Sequence, residues 1–191
     1  MKNDYEIRGP VTAIFLRKKS GEIVETTIDT EDFDLVNSST DRAWVLCWNS
    51  GSKSFYVRVS DWVNSKYTSL YLHRVIMHAP KGATVDHVDH ATLNNQKYNL
   101  RLASVSENNQ NYNTFKLKTI SGYRGVAWHE KRKKWQVIIT VNRKNHYFGL
   151  YDDIEIAKQV AFYARRALMP FSPEATNSDL QFIELDKREE P

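Results

Sequence analysis

An acidic residue and a histidine stand side by side at Asp86 and His87, and two asparagines follow at wider spacing, Asn99 and Asn108. Hydrolysis of a phosphodiester needs a water that loses a proton, an in-line attack on phosphorus and neutralisation of charge on the leaving oxygen. A histidine can take the proton because its ordinary pKa of about 6.5 lies near working pH. The four residues together indicate metal-assisted hydrolysis of a phosphodiester.

Adjacent residues of a strand point in opposite directions, so Asp86 and His87 can do different work, one holding a metal ion and the other activating water. Carboxylate and amide oxygens are hard ligands that suit Mg²⁺ or Mn²⁺. Asn108, one turn into a predicted helix, can supply the second such ligand. The acid–histidine pair recurs at Asp89 and His90, which leaves His90 as an alternative base.

The elements that must position these residues are short. Residues 85–88 predict a strand, and residues 101–103 predict a short extended segment. Ser104 stands three positions before Glu107, which is a capping box and predicts a helix that begins at about Ser104. The apolar residues 70–77 lead into a turn, and we interpret them as a further strand. The predicted order is strand, turn, strand, loop and helix.

Residues 71–113 resemble the HNH (ββα-metal) nuclease family, in the form found in homing endonucleases of phages and mobile introns. The resemblance rests on Val-Asp-His-Val-Asp-His at 85–90, Leu-Asn-Asn at 93–95, Asn-Leu-Arg at 99–101 and Glu-Asn-Asn-Gln-Asn at 107–111. It implies that His87 is the general base and that Asn99 orients its imidazole. Asp86 and Asn108 are the implied metal ligands, with Mg²⁺ or Mn²⁺ as the cofactor.

The segment before this motif predicts short strands at 11–16, 22–28, 43–48 and 54–59, with turn residues between the last two. We find no catalytic constellation in residues 1–69. His73 is interpreted as packing or scaffold, and the asparagines that include Asn94 and Asn95 as turn or surface residues.

Charge is divided unevenly along the rest of the chain. Residues 120–170 contain ten Lys and Arg against four acidic residues, whereas residues 171–191 contain two against six. This division indicates a module that faces a polyanion, followed by a solvated acidic tail. Residues 123–128, 135–141 and 145–149 predict three strands, and Asp152 or Asp153 can cap a helix whose apolar face contains Ile156, Val160, Ala161, Ala164 and Leu168.

This segment resembles the plant ethylene-response-factor (Apetala-type) DNA-binding domain. The resemblance rests on Gly-Tyr-Arg-Gly-Val at 122–126, Lys-Trp at 134–135, Tyr-Phe-Gly-Leu-Tyr-Asp at 147–152 and Ile-Ala at 156–157. It implies a sheet that lies in the major groove, with Arg124, Lys134 and Tyr147 at contact positions. Arg143 and Lys144, in a predicted turn, join them as candidate DNA-binding residues. Ala127, His129, Ile138 and Thr140 stand where plant members often have charged contacts, so the plant target sequence does not carry over.

The sequence therefore predicts an α+β chain in five parts: a β-rich N-terminal segment at 1–69, the ββα-metal motif at 70–113, a linker at 114–120, a three-stranded antiparallel sheet packed on one helix at 121–170, and an acidic tail at 171–191. The predicted activity is a DNA endonuclease that nicks double-stranded DNA. One alternative is a DNA-binding regulator with an inactive HNH motif. A third interpretation, an RNA-binding protein, lacks identifiable stacking aromatics.

The composition indicates the cellular environment in which this activity would take place. The one cysteine, Cys47, excludes an intramolecular disulfide and a cysteine-rich zinc site. No apolar run approaches the ~18–20 residues that cross a bilayer, and the N-terminus lacks the apolar core of a secretory signal. We expect a monomer or weak dimer in the cytoplasm, that of the host cell if a phage encodes the chain, and no membrane partner.

Overall fold

The computed structural model describes residues 1–63, 66–111 and 119–176. The chain forms two compact units, Met1–Ser104 and Val105–Pro191. Both combine short helices with small antiparallel sheets, so the fold is mixed α and β. No helix within the described ranges is long and apolar enough to span a membrane.

The described residues of the first unit form three sheets and two α-helices. Its elements are β1 (Tyr5–Arg8), β2 (Val11–Arg17), β3 (Ile23–Asp29), α1 (Phe33–Ser38), β4 (Val45–Asn49), β5 (Ser54–Val63), β6 (Lys66–Tyr71), α2 (Leu72–Ile76), β7 (Thr84–His87) and β8 (Leu100–Ala103). The sheets are β1-β2-β3, β4-β5-β6 and β7-β8. The four predicted N-terminal strands are confirmed, and so is the β4–β5 hairpin, in which Asn49 pairs with Ser54 around the predicted turn.

The prediction of a strand over residues 70–77 is wrong, because the strand β6 ends at Tyr71 and the helix α2 follows at once. Leu72 and Ile76 stand four residues apart, so a helical turn directs both side chains into the same core. A strand would place only alternate residues on that side. The apolar run alone did not distinguish the two periods because it is so short.

The predicted strands around the acid–histidine pair are confirmed as β7 and β8, which are antiparallel with Asp86 opposite Arg101 and His87 opposite Leu100. The connection between them is fastened to β3. The backbone N–H of Thr27 donates to Leu93 O, and the N–H of Asn95 donates to Thr27 O. In chain order, α3 (Val105–Asn108) comes next and begins where the capping box predicts.

The second unit contains α3, the strands β9 (Val126–His129), β10 (Lys134–Val141) and β11 (Lys144–Tyr151), α4 (Ile154–Leu168) and α5 (Pro173–Thr176). The predicted three strands and one helix at 121–170 are therefore present, with β10 in the centre of an antiparallel sheet. Asp153 caps α4 by accepting a hydrogen bond from the N–H of Glu155 at 2.7 Å. Val137 and Ile139 of β10 pack against Ala161 of the helix.

Two details of the predicted helix differ from the structure. Ile156, predicted on the apolar face, is 38% exposed, and Ala157 occupies the core instead. Arg165, which contributes to the basic count, is fully buried and forms an ion pair with Glu174 of α5 at 2.7 Å. The guanidinium of Arg165 also donates to the backbone oxygen of Arg124. Arg165 therefore holds the module together and offers no charge to a ligand.

Two predicted segments lie wholly or largely outside the described residues. They are the linker at 114–120, of which only 119 and 120 are described, and the acidic tail at 171–191, described as far as 176.

Candidate functional site

Asp86 and His87 are both buried at the end of β7, and they have different neighbours. Asp86 Oδ2 accepts hydrogen bonds from Arg101 Nε at 2.9 Å and Arg101 Nη2 at 2.7 Å. The His87 ring instead contacts the rings of Tyr56 and His73, at centroid distances of 5.9 Å and 5.3 Å. The predicted division of work between the two residues is compatible with these separate environments.

A chain of three hydrogen bonds fixes the His87 ring. Thr26 Oγ1 donates its hydroxyl proton to Leu93 O at 2.7 Å, and Asn95 Nδ2 donates to Thr26 Oγ1 at 2.9 Å. Because the Asn95 amino group is directed at Thr26, its carbonyl oxygen Oδ1 faces His87 Nε2, at 3.2 Å. A carbonyl oxygen only accepts, so Nε2 carries the proton of the neutral ring and Nδ1 is the basic nitrogen.

Burial keeps the side chains of both His73 and His87 neutral. Burial lowers the pKa of His87 below its ordinary 6.5, against smaller raising effects from the Asn95 hydrogen bond and from Asp86 and Asp89. Burial, helped by the nearby His87 ring and the charge of Arg74, lowers the pKa of His73 to about 3. A neutral imidazole at pH 7 can accept a proton, as a general base must.

Asn99, predicted to orient the imidazole, is buried and is bonded to the loop between β7 and β8. Its Oδ1 accepts from the N–H of Asp89 at 3.0 Å, and its Nδ2 donates to Asn94 O at 2.9 Å. The backbone N–H of Val88 donates to Asn99 O at 2.9 Å. These bonds shape the loop that follows His87, and the orientation of the imidazole by Asn99 stays a prediction.

Asn95 bonds to the ring, although the sequence placed it among turn or surface asparagines. That interpretation is wrong for Asn95, which is 1% exposed. No local pattern could have revealed its role, because its partner Thr26 lies 69 residues away. His90, the alternative base, lies in an exposed turn where its N–H donates to His87 O.

The second predicted metal ligand, Asn108, ends α3 in the second unit. Within the described ranges, no three His, Cys, Asp or Glu side chains form a metal-binding group. The predicted pair needs no such group, since one carboxylate and one amide leave the other positions of a Mg²⁺ ion to water and phosphate oxygens. The donor chemistry of Asp86 and Asn108 fits that ion, while Arg101 competes for the same carboxylate.

Three of the five predicted DNA-binding residues, Arg143, Lys144 and Tyr147, are exposed in the second unit. Tyr147 is 59% exposed and stands opposite Ile138 on the sheet face away from Val137 and Ile139. Arg143 lies in the two-residue turn between β10 and β11, where Asn142 and Arg143 both have positive φ, and Lys144 begins β11.

The remaining two candidates already have partners. Lys134 Nζ lies 2.9 Å from an Asp152 oxygen, but this pair is exposed and weak, so it leaves Lys134 able to bind phosphate. Arg124 Nη1 donates to Gln110 O at 3.1 Å. A groove of about 580 Å³ has both Arg124 and Arg143 in its walls.

Comparison with known proteins identifies one relationship. No family model matches the chain, and no solved structure matches it. Protein 3.8 of Escherichia phage T7 is 38% identical over 89 residues, which cover 47% of this chain and 72% of that protein. Since the aligned segment spans more than two thirds of the phage protein, the chain belongs to the same family as Protein 3.8 of phage T7.

Proposed function

We propose that the chain is a metal-dependent DNA endonuclease of the HNH homing type, which hydrolyses phosphodiester bonds in duplex DNA. The observation that carries this proposal is the hydrogen-bond chain from Thr26 through Asn95 to His87. It holds a buried, neutral imidazole in one tautomer, which is what a general base for water requires. The phage relative agrees with a phage or mobile-element origin, although its name states no activity.

In the proposed reaction, His87 Nδ1 takes a proton from the attacking water as the new oxygen–phosphorus bond forms. The bond to the leaving oxygen breaks on the opposite side of the phosphorus, and that oxygen leaves with the bonding electron pair and takes a proton from solvent water. The resulting imidazolium is stabilised because Nε2–H donates to Asn95 Oδ1. Asp86 and Asn108 are the residues that would hold Mg²⁺ or Mn²⁺, which when bound supplies charge neutralisation at the phosphate.

The C-terminal module is proposed to bind the duplex through its sheet. Arg143 and Lys144 lie at one end of the β10–β11 hairpin, and Lys134 begins β10 at the other end, roughly 23 Å away along the strand. This spacing suits contacts with several backbone phosphates, while the exposed Tyr147 between them suits contact with bases. The module would raise the local concentration of nuclease at its site.

One observation favours the rival function, a DNA-binding regulator with an inactive motif. The Asp86 carboxylate is paired with the Arg101 guanidinium at 2.7 Å, and a cation in that position weakens the attraction of the carboxylate for Mg²⁺. The two functions therefore differ in whether Asp86 binds a divalent ion, and cleavage distinguishes them.

The test is incubation of the full chain with supercoiled plasmid in Mg²⁺ and, separately, in EDTA. The endonuclease should convert supercoiled plasmid to the nicked form in Mg²⁺ only. His87→Ala should lower the rate roughly 10²–10⁴-fold with DNA affinity unchanged, whereas the matched variant His90→Ala should keep the rate. Asp86→Ala and Asn108→Ala should each raise the Mg²⁺ concentration needed for half-maximal activity.

Two results would contradict the proposal. Duplex binding without cleavage at any Mg²⁺ or Mn²⁺ concentration identifies the regulator. Loss of activity in His90→Ala, with His87→Ala active, moves the general base to the other histidine.

A further inference from the structure

One face of the β4-β5-β6 sheet lies against His73 and His87. Tyr56 of β5 contacts His87 and His73, at ring distances of 5.9 Å and 5.7 Å. Tyr71, at the end of β6, contacts His73 at 5.6 Å. Thr92, from the loop that follows His87, donates to Phe55 O at 2.6 Å and so ties that loop to β5. The sheet therefore forms one wall of the site around His87.

Arg58 lies on the same face of the β4-β5-β6 sheet as Tyr56. It stands two residues after Tyr56 on β5, so both side chains project from one side and their Cα atoms are about 7 Å apart. It pairs directly with Tyr71 on β6, so the Cβ atoms of the two residues are about 5 Å apart. The aliphatic part of the Arg58 side chain therefore lies beside Tyr56 and Tyr71, the two tyrosines that contact the histidines.

The guanidinium of Arg58 is poorly satisfied by the protein. Nη1 donates to Ser69 Oγ at 3.2 Å, and the buried Nε–H has no acceptor. Among the residues whose side chains the structure describes, no carboxylate lies within ion-pair distance of it. By contrast, Arg74 donates to three backbone carbonyl oxygens, and Arg101 donates twice to a carboxylate. A sheltered donor without a protein acceptor is unfavourable, and a ligand that supplies an acceptor would satisfy it.

The surroundings of Arg58 are open to such a ligand. Val45, its pairing partner on β4, is 46% exposed, and Ser69 is exposed as well. Ser60 and Ser69 share a hydrogen bond at 3.0 Å beside the guanidinium, which adds two hydroxyl groups. A planar cation next to hydroxyl groups recognises phosphate, to which arginine can donate two parallel hydrogen bonds.

We propose that Arg58 binds a backbone phosphate of the DNA strand whose scissile bond lies at His87, with Ser60 and Ser69 as neighbouring donors. This inference rests on the proposed endonuclease function and gives the β-rich N-terminal segment a part in it. The β4-β5-β6 sheet would hold the strand against the general base. One fixed phosphate beside the reacting one restricts the substrate to orientations that permit in-line attack.

The test measures binding without cleavage, on the full chain in EDTA, with a fluorescent duplex at several salt concentrations. Arg58→Gln should weaken binding several-fold and lower the slope of log K against log salt by about 0.9, the value for one lost phosphate contact. Arg58→Lys should recover part of both. The matched control is Arg17→Gln, which removes the same charge from the exposed end of β2 in another sheet. It should change neither quantity.

Thermal unfolding of the same variants separates a ligand contact from a structural role. Because the protein leaves Arg58 poorly satisfied, Arg58→Gln should keep the wild-type melting temperature. Unchanged affinity and slope in Arg58→Gln overturn the inference, as does a lowered melting temperature with unchanged affinity. A wild type that binds but never cleaves overturns the endonuclease alone, and a wild type that binds no duplex overturns both.

Discussion

Asn95 is the residue whose replacement tests the site most directly. Its side chain is the acceptor for His87 Nε2 and the donor to Thr26 Oγ1, and both partners are buried. Asn95→Ala removes the acceptor, so the neutral imidazole is no longer held with its proton on Nε2. Asn95→Asp keeps an acceptor in the same place and adds a negative charge.

The expected magnitude follows from the burial of the bond. A buried donor left without its acceptor costs about 1–3 kcal/mol. If the reaction depends on the tautomer that this bond holds, the same free energy appears in the barrier, and cleavage by Asn95→Ala should fall about 5- to 150-fold. The free energy of unfolding should fall by about 1–3 kcal/mol as well. Asn95→Asp should retain more activity because Nε2–H keeps an acceptor.

The two variants should move the pKa of His87 in opposite directions. The Asn95 hydrogen bond raises that pKa, so its loss in Asn95→Ala lowers the pKa further below 6.5. The carboxylate of Asn95→Asp stabilises the imidazolium and raises it. Long-range ¹H–¹⁵N spectra of the metal-free protein in EDTA report both the tautomer and the titration. In the wild type, the spectrum should have the proton on Nε2.

The matched control is Asn94→Ala, the same deletion one position earlier. Asn94 Nδ2 donates to Tyr98 Oη at 2.7 Å and to Asp89 Oδ2 at 3.4 Å, and its bonds do not reach His87. It should leave the His87 titration unchanged. A wild-type proton on Nδ1 would refute the reasoning about the basic nitrogen. Asn95→Ala with wild-type titration and wild-type cleavage would refute any role for the amide.

Three further predictions concern acid stability, packing and DNA binding. Between pH 7 and pH 5 the wild-type free energy of unfolding should fall by roughly 2 kcal/mol through His73, because its folded pKa of about 3 lies below 6.5 and the unfolded chain takes up the proton first. In denaturant unfolding, His73→Phe should lack the part of the loss that comes from His73. A loss equal to that of the wild type would contradict the assignment to His73. Gly125→Ala should destabilise the protein by about 1–3 kcal/mol, because φ is +84° and the new Cβ would lie 2.5 Å from Ile139 Cδ1. Gly122→Ala has φ +65° and open space around the new Cβ, so it should lower the melting temperature less in the same thermal scan. Lys144→Ala should weaken binding to every duplex alike in gel-shift titrations, and a change confined to one sequence would exclude a phosphate contact.

The local patterns of the sequence determined most of the secondary structure. Alternating polar and apolar residues predicted β3, because the side-chain period of a strand depends only on the chain itself. Asp152 and Asp153 marked the start of α4, because a cap bonds to a backbone N–H nearby in the chain, and Asp153 is the residue that does so. The acid–histidine pair on β7 was equally local, since adjacent residues are read directly from the sequence.

Only the tertiary structure decided how that pair is surrounded. The bond from Asn95 to Thr26 spans 69 residues, and its partners meet only because β3 lies against the loop after β7. Arg165 looked like a surface cation, yet Glu174 of α5 neutralises it in the core. Burial and pairing depend on contacts between distant segments, and the identity of one residue carries no record of them. The residues that could do chemistry were therefore visible in the sequence, whereas the protonation state of His87 and the missing acceptor for Arg58 Nε–H depended on the fold.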